Sequence, residues 1–169
     1  MRLFVDTEFT DFIDCDLLSI GIVSEDGREF YAERSDVDLS RCSDFARAAV
    51  LPQLGRDPAI VGTEQDISAA LQQWLVQFDQ VEVCFDYPTD FEWFFYLVRD
   101  AETLELPRSI KWRNIRADLD AADIEHYWRE NRRQAHHALH DAKANRFAFL
   151  NAKNVMMRYD LKKRDSTGT

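Results

Sequence analysis

Apolar residues form short runs near the amino terminus and recur at helical spacing further on, with polar breaks between them. Arg2-Leu3-Phe4-Val5 is apolar with β-branched and aromatic character, and it predicts a first, central strand. Leu17 to Val23 predicts a second strand. Ser24-Glu25-Asp26-Gly27 reads as a turn, and Glu29-Phe30-Tyr31-Ala32 completes a hairpin. Ser43 to Val50 predicts a short helix stopped by Leu51-Pro52. Thr63-Glu64-Gln65-Asp66 reads as a capped start, followed at helical spacing by Ile67, Leu71, Trp74, Leu75 and Phe78, which are read as core.

Val81-Glu82-Val83-Cys84-Phe85 alternates as a strand does, with Asp86 at its end and Pro88 closing the turn. The run from Phe91 to Val98 is too aromatic and too continuous to lie on the surface throughout. It predicts a buried helix starting at Asp90, where an acid meets the positive end of the helix dipole. Ile110 to Ile115 predicts a further, polar strand. Asp118 to Arg132 predicts an amphipathic helix carrying Leu119, Ile124, Tyr127 and Trp128. A last helix is expected from about His137 to Met157, with Leu139, Phe147, Leu150 and Val155 among its apolar positions. Strands first, then strand and helix in alternation, give an α/β fold with a sheet layered by helices. One domain over residues 1–160 is expected, with a polar, disordered tail over 161–169.

Composition sets the outer bounds. With 169 residues, 46% apolar and 12% aromatic, the chain is long enough to bury a sizeable core. No apolar run approaches the length of a membrane span, and Met-Arg-Leu-Phe-Val-Asp meets an acid too soon for a signal peptide, so a cytoplasmic location is expected. Cys15, Cys42 and Cys84 are odd in number and widely spaced, which suggests neither a disulfide framework nor a zinc ribbon. The net charge of −10 argues against the long basic footprint of a duplex binder. A nucleic-acid partner would then be a short single-stranded end.

The chemistry starts at Asp6-Thr7-Glu8-Phe9. Side chains two apart on a strand share a face, so Asp6 and Glu8 project together from the end of a buried strand. Two carboxylates so close repel unless a cation sits between them, and hard divalent ions take oxygen ligands. The alternative is a turn with two solvated acids. A calcium loop through Asp11, Asp14 and Asp16 is rejected, because no glycine or closing glutamate falls at the required offsets.

The second concentration is Gln134-Ala135-His136-His137-Ala138-Leu139-His140-Asp141. In one reading, His136/His140 or His137/Asp141 are helical neighbours and form half of a zinc site. In the other, His136 lies in the loop before the helix and Asp141 lies inside it. Five helical positions turn the chain by about 500 degrees, at about 3.6 residues per turn, so the two share a face only if His136 is off the helix.

Asp6-x-Glu8 at the end of a first strand, an aspartate opening a mid-chain helix and His136-x-x-x-x-Asp141 together resemble the DnaQ-like, DEDDh family of 3′-5′ exonucleases, over Asp6 to roughly Phe149. Small stand-alone bacterial and phage exoribonucleases, which begin with a similar Asp-Thr-Glu-Phe, are the nearest part of that family. The resemblance implies a ribonuclease H-like fold with a mixed central sheet of about five strands. It also implies two divalent metal ions, Mg²⁺ or Mn²⁺, and release of 5′-mononucleotides from single-stranded 3′ ends, RNA before DNA. By the same resemblance Asp6, Glu8, Asp90 and Asp141 are the metal ligands and His136 the general base. Asp86 is the alternative to Asp90, because Asp86-Tyr87-Pro88-Thr89-Asp90 departs from the family pattern of an asparagine and an aromatic residue before the ligand.

Phe9, Thr10 and Phe12 follow Glu8 directly and are the expected contacts for the terminal sugar and base. Lys111, Arg113 and Arg116 are either phosphate contacts or a solvated strand edge. Homodimerisation is compatible with the resemblance, and composition neither supports nor excludes it. A DNA exonuclease of the same family, a nuclease-dead nucleic-acid-binding module and a zinc hydrolase using His136, His137 and His140 are the other readings.

Overall fold

A computed structural model describes residues 1–13, 15–99, 103–133 and 135–166, with side chains of the last helix described as far as residue 152. Asp14 of the rejected calcium loop, Gln134, the side chain of Val155 and the tail side chains therefore lie outside the described residues.

Among the described residues, six strands form one mixed sheet in the order β4-β3-β2-β1-β5-β6. They are β1 (Arg2–Phe9), β2 (Leu17–Ser24), β3 (Glu29–Arg34), β4 (Ile60–Gly62), β5 (Val81–Phe85) and β6 (Ile110–Asn114). β1, β2 and β3 run antiparallel as a meander, whereas β5 lies parallel to β1 and β6 parallel to β5. Among the described residues there are four α-helices, α1 (Glu64–Leu75), α2 (Pro88–Val98), α3 (Ala121–Asn131) and α4 (Ala138–Ser166), of which α1, α2 and α4 pack on the sheet and α3 packs on α4. This mixed α/β architecture is compatible with a ribonuclease H-like fold.

The sixth strand, absent from the sequence reading, is β4. It has three residues on the sheet edge, two of them exposed, and so short an element carries almost no periodicity. α2 begins at Pro88 rather than Asp90, which sits in its first turn. Proline is accommodated in the first helical turn because its missing N–H would have no partner there. Pro52 likewise does not end the structure after Val50; it enters a further tight turn over Leu51–Gln53. α1 starts where expected, with Thr63 capping it and Asp66 closing the reciprocal bond to the Thr63 N–H.

Alternation along β1 divides its side chains between two layers. Leu3 and Val5 join the core beneath α1 and α2, with Ile20, Ile22, Ile67, Leu71 and Phe94. Phe4 faces the other way and meets Cys84, Ala142 and Phe149 beneath α4. Asp6 and Glu8 continue the Phe4 register, so they emerge on the α4 side.

Gly21 makes the approach of α4 possible. It pairs with Asp6 across β1 and β2, and a Cβ there would lie 2.2 Å from the Leu139 backbone nitrogen. Any side chain at Gly21 would push the start of α4 away from the strand that carries Asp6 and Glu8.

Candidate active site

The carboxyl end of β1, the start of α2 and the start of α4 meet at a cleft of about 440 Å³. Asp6, Glu8, Asp86, Asp90, His136 and Asp141 all line it. Two groups of potential ligand atoms lie there, Asp6 with Asp86 and Asp90, and Glu8 with His136 and Asp141, the atoms of each group within 4.8 Å of one another. The alternatives Asp86 and Asp90 are thus both beside Asp6.

Asp90 is almost fully buried, at 2% exposure, and is held from three sides. Its Oδ1 accepts from the Thr7 N–H at 3.0 Å and from the Thr7 hydroxyl at 2.8 Å, and its Oδ2 accepts from the Tyr87 N–H at 3.2 Å. Asp86 accepts from the Asn145 amide at 2.6 Å. Asp141 accepts from the Trp128 indole N–H at 3.1 Å on one oxygen and from the His136 backbone N–H at 2.7 Å on the other.

His136 stands outside α4 with φ of 71°, in the left-handed region that a non-glycine residue occupies only when its surroundings hold it there. Two contacts supply that hold besides Asp141. The Gln53 amide donates to the carbonyls of Ala135 and His136, each at 2.7 Å. Phe45 packs edge-on against the imidazole, with centroids 4.8 Å apart.

The electrostatics are those of acids crowded together away from water. Burial, followed by the charges of Asp90, Asp141 and Glu8, raises the Asp6 pKa well above its ordinary value. Glu8 is pushed up to about 9 by burial and then by Asp141 and Asp90. Burial also raises Asp90 and Asp141 to about 7, against the hydrogen bonds that favour their charged forms. His136 moves the other way, because partial burial disfavours the imidazolium. A hard divalent cation suits this donor set: it takes carboxylate oxygens and removes the repulsion between them.

Phe9 and Phe12 also line the cleft, their rings edge-to-face at 5.1 Å, and Phe12 is 71% exposed and reaches Tyr87 at 6.0 Å. Thr10 is elsewhere: fully buried, its hydroxyl accepts from the Asp16 N–H at 2.9 Å and fixes the loop after β1. Arg113 is engaged with Asp118 at 2.7 Å. The three neighbouring histidines separate, His136 joining Glu8 and Asp141 while His137 and His140 turn to Asp57.

Thr7, Asn145, Trp128 and Gln53 escaped the sequence reading. Asn145 carried a signal, since it lies four residues after Asp141 and shares its helix face. Gln53 carried none, because it acts on a loop 82 residues away.

No helix among the described residues is long and apolar enough to cross a membrane. No family model matches this chain. Two curated 3′-5′ exoribonucleases of Mycobacterium tuberculosis, from strains CDC 1551/Oshkosh and ATCC 25618/H37Rv, are each 49% identical to it over 55 residues. That segment is 32% of this chain and 33% of each relative, so the match spans about a third of the length of the curated relatives.

Proposed function

We propose that this chain is a metal-dependent 3′-5′ exoribonuclease of the DnaQ-like, DEDDh type, removing 5′-mononucleotides from single-stranded RNA 3′ ends. The observation that carries the reading is the convergence of Asp6, Glu8, Asp90 and Asp141 on one open cleft beside His136. The partial likeness to the mycobacterial exoribonucleases supports the choice of reaction and of RNA.

Asp6, Glu8, Asp90 and Asp141 would hold the metal, with Asp6 nearest the middle of the acids that surround it. Two divalent ions, Mg²⁺ or Mn²⁺, would supply Lewis-acid activation of the attacking water and stabilise charge developing at the phosphate. His136 would accept a proton from the attacking water; its lowered pKa favours the neutral imidazole, which is the form a general base needs. Asp141 and Gln53 orient His136 through its backbone, leaving the ring free to face the cleft. Thr7 and Trp128 fix the carboxylates of Asp90 and Asp141, as outer partners fix ligands in other metal sites.

Phe9, Phe12 and Tyr87 offer ring faces and edges at the mouth of the cleft, on which terminal bases stack without regard to sequence. A chain with a net charge of −10 gains little from a long phosphate backbone, which favours a few nucleotides at a free end.

The test is incubation with matched 5′-labelled single-stranded RNA and DNA oligomers, with Mg²⁺ or Mn²⁺ and with chelator. The expected result is a metal-dependent ladder shortening from the 3′ end, faster on RNA. Intact oligomers under every metal would overturn the reading, and faster shortening of DNA would overturn the choice of RNA.

A further inference from the structure

We propose that Asp57, His137 and His140 form a second metal site, separate from the cleft, which takes a borderline transition ion such as Zn²⁺ and fastens the loop after Leu51–Gln53 to the start of α4. The three residues present one ligand atom each within 4.8 Å of one another. Both imidazoles converge on a single carboxylate oxygen, Asp57 Oδ2, with His140 Nε2 at 3.0 Å and His137 Nε2 at 3.3 Å. Ligands about 2.0–2.1 Å from a tetrahedral zinc stand about 3.3 Å apart, so this spacing is that of two edges of such a site.

His137 supplies the independent observation. It is buried, at 3% exposure, yet neither ring nitrogen has a hydrogen-bond partner among the described residues. A neutral imidazole carries one donor and one lone pair, and buried polar groups with neither satisfied call for an explanation. A cation between His137 Nε2, His140 Nε2 and Asp57 Oδ2 would engage the lone pair that the protein leaves unused.

The surroundings are built as an outer shell. Tyr31 stacks on the His137 ring with centroids 4.7 Å apart, and its hydroxyl donates to Glu33 Oε1 at 2.8 Å. Glu33 in turn accepts from the Gly55 N–H at 2.9 Å, which returns to the loop that carries Asp57. Arg133 approaches Asp57 at 3.4 Å and 3.5 Å, orienting the carboxylate without a close bond. Two imidazoles and one carboxylate are ligands for zinc-like ions, whereas the all-carboxylate cleft suits magnesium or manganese. Because His137 follows His136 directly, an ion here would pin the loop that presents the cleft imidazole.

The test uses full-length protein stripped with chelator and carrying Asp6→Asn and Glu8→Gln, so that the cleft no longer competes for metal. Equilibrium dialysis with metal analysis, Co²⁺ absorption in the visible and thermal denaturation with and without Zn²⁺ are the readouts. The expected result is one bound zinc, a tetrahedral Co²⁺ spectrum and a zinc-dependent rise in Tm, all lost when His140→Gln or Asp57→Asn is added. Asp57→Asn keeps the inference testable should the buried His140→Gln fail to fold. Absence of bound zinc in the cleft variant, or zinc retained undiminished after Asp57→Asn, would overturn the site while leaving the nuclease reading untouched.

Discussion

Two clusters of ligand-bearing side chains flank the first turn of α4, and they differ in almost every physical respect. The cleft cluster is made of carboxylates, of which Asp86, Asp90 and Asp141 are held by N–H or O–H donors, and it opens onto 440 Å³ of space rimmed by aromatic rings. The other has two imidazoles and one carboxylate, lies under Tyr31, and leaves the ring nitrogens of His137 without a hydrogen-bond partner among the described residues. Oxygen donors beside a cleft suit a hard ion that must share its coordination with substrate. Nitrogen donors on largely buried rings suit an ion that stays. Adjacent residues, His136 and His137, thus fall in two different clusters because the backbone turns through the left-handed region between the loop and the helix.

Substitutions that strike one cluster and spare the other test this division. Asp6→Asn has the largest expected effect: turnover falls to background and Mg²⁺ affinity drops, while zinc binding at Asp57, His137 and His140 persists. Isothermal titration with each metal reads both. His136→Ala comes next, with kcat lowered by about 10²- to 10⁴-fold, the range for loss of a general base, and Mg²⁺ affinity retained. Unchanged turnover in this variant would remove His136 from the chemistry.

Thr7→Val takes away the hydroxyl bonded to Asp90 Oδ1 and should weaken metal affinity or activity by about 10- to 100-fold, as losses of outer partners do. Gly21→Ala forces a Cβ into the Leu139 backbone and is expected to destabilise the fold by about 1–3 kcal/mol, measurable by urea denaturation.

The smallest effect is a pH dependence confined to the cleft. Glu8 at about 9 and Asp90 and Asp141 at about 7 lie above their unfolded values, so the folded state binds more protons. Their contribution to stability is complete below about pH 4, the unfolded carboxylate range, and is lost as pH rises through 7 and 9. Metal-free protein should lose at least about 3 °C of Tm between pH 5 and 9, the equivalent of about 1 kcal/mol in a chain of this size, and Mg²⁺ should flatten the slope. A metal-free Tm that climbs over this range would contradict the assigned crowding of acids.

What could be read from the sequence follows from how local each signal is. β5 (Val81–Phe85) was legible residue by residue, because alternation over a buried strand is set by its own side chains. The carboxylates of Asp6 and Glu8 were legible as a pair for the same reason, whereas helix geometry left two readings of the segment from His136 to Asp141, between which the family resemblance chose. β4 was hidden because its three residues lie on the rim, where nothing constrains their polarity. Asp57 was hidden more deeply. A single acid in a loop between Gly55 and Pro58 carries no pattern, and its meaning appears only when His140, 83 residues away, is folded against it. Thr10, two residues past Glu8, is drawn inward by a contact that adjacency does not announce, its buried hydroxyl accepting from the Asp16 N–H at 2.9 Å.

The most direct test of the central claim is the identity of the first product. RNA labelled in its 3′-terminal nucleotide, incubated with Mg²⁺ and the wild-type protein, should release that nucleotide as a 5′-monophosphate, with none released by His136→Ala or Asp6→Asn over the same interval. Internal fragments, a 3′-monophosphate product or equal release by the variants would contradict hydrolysis at the 3′ end by this cleft.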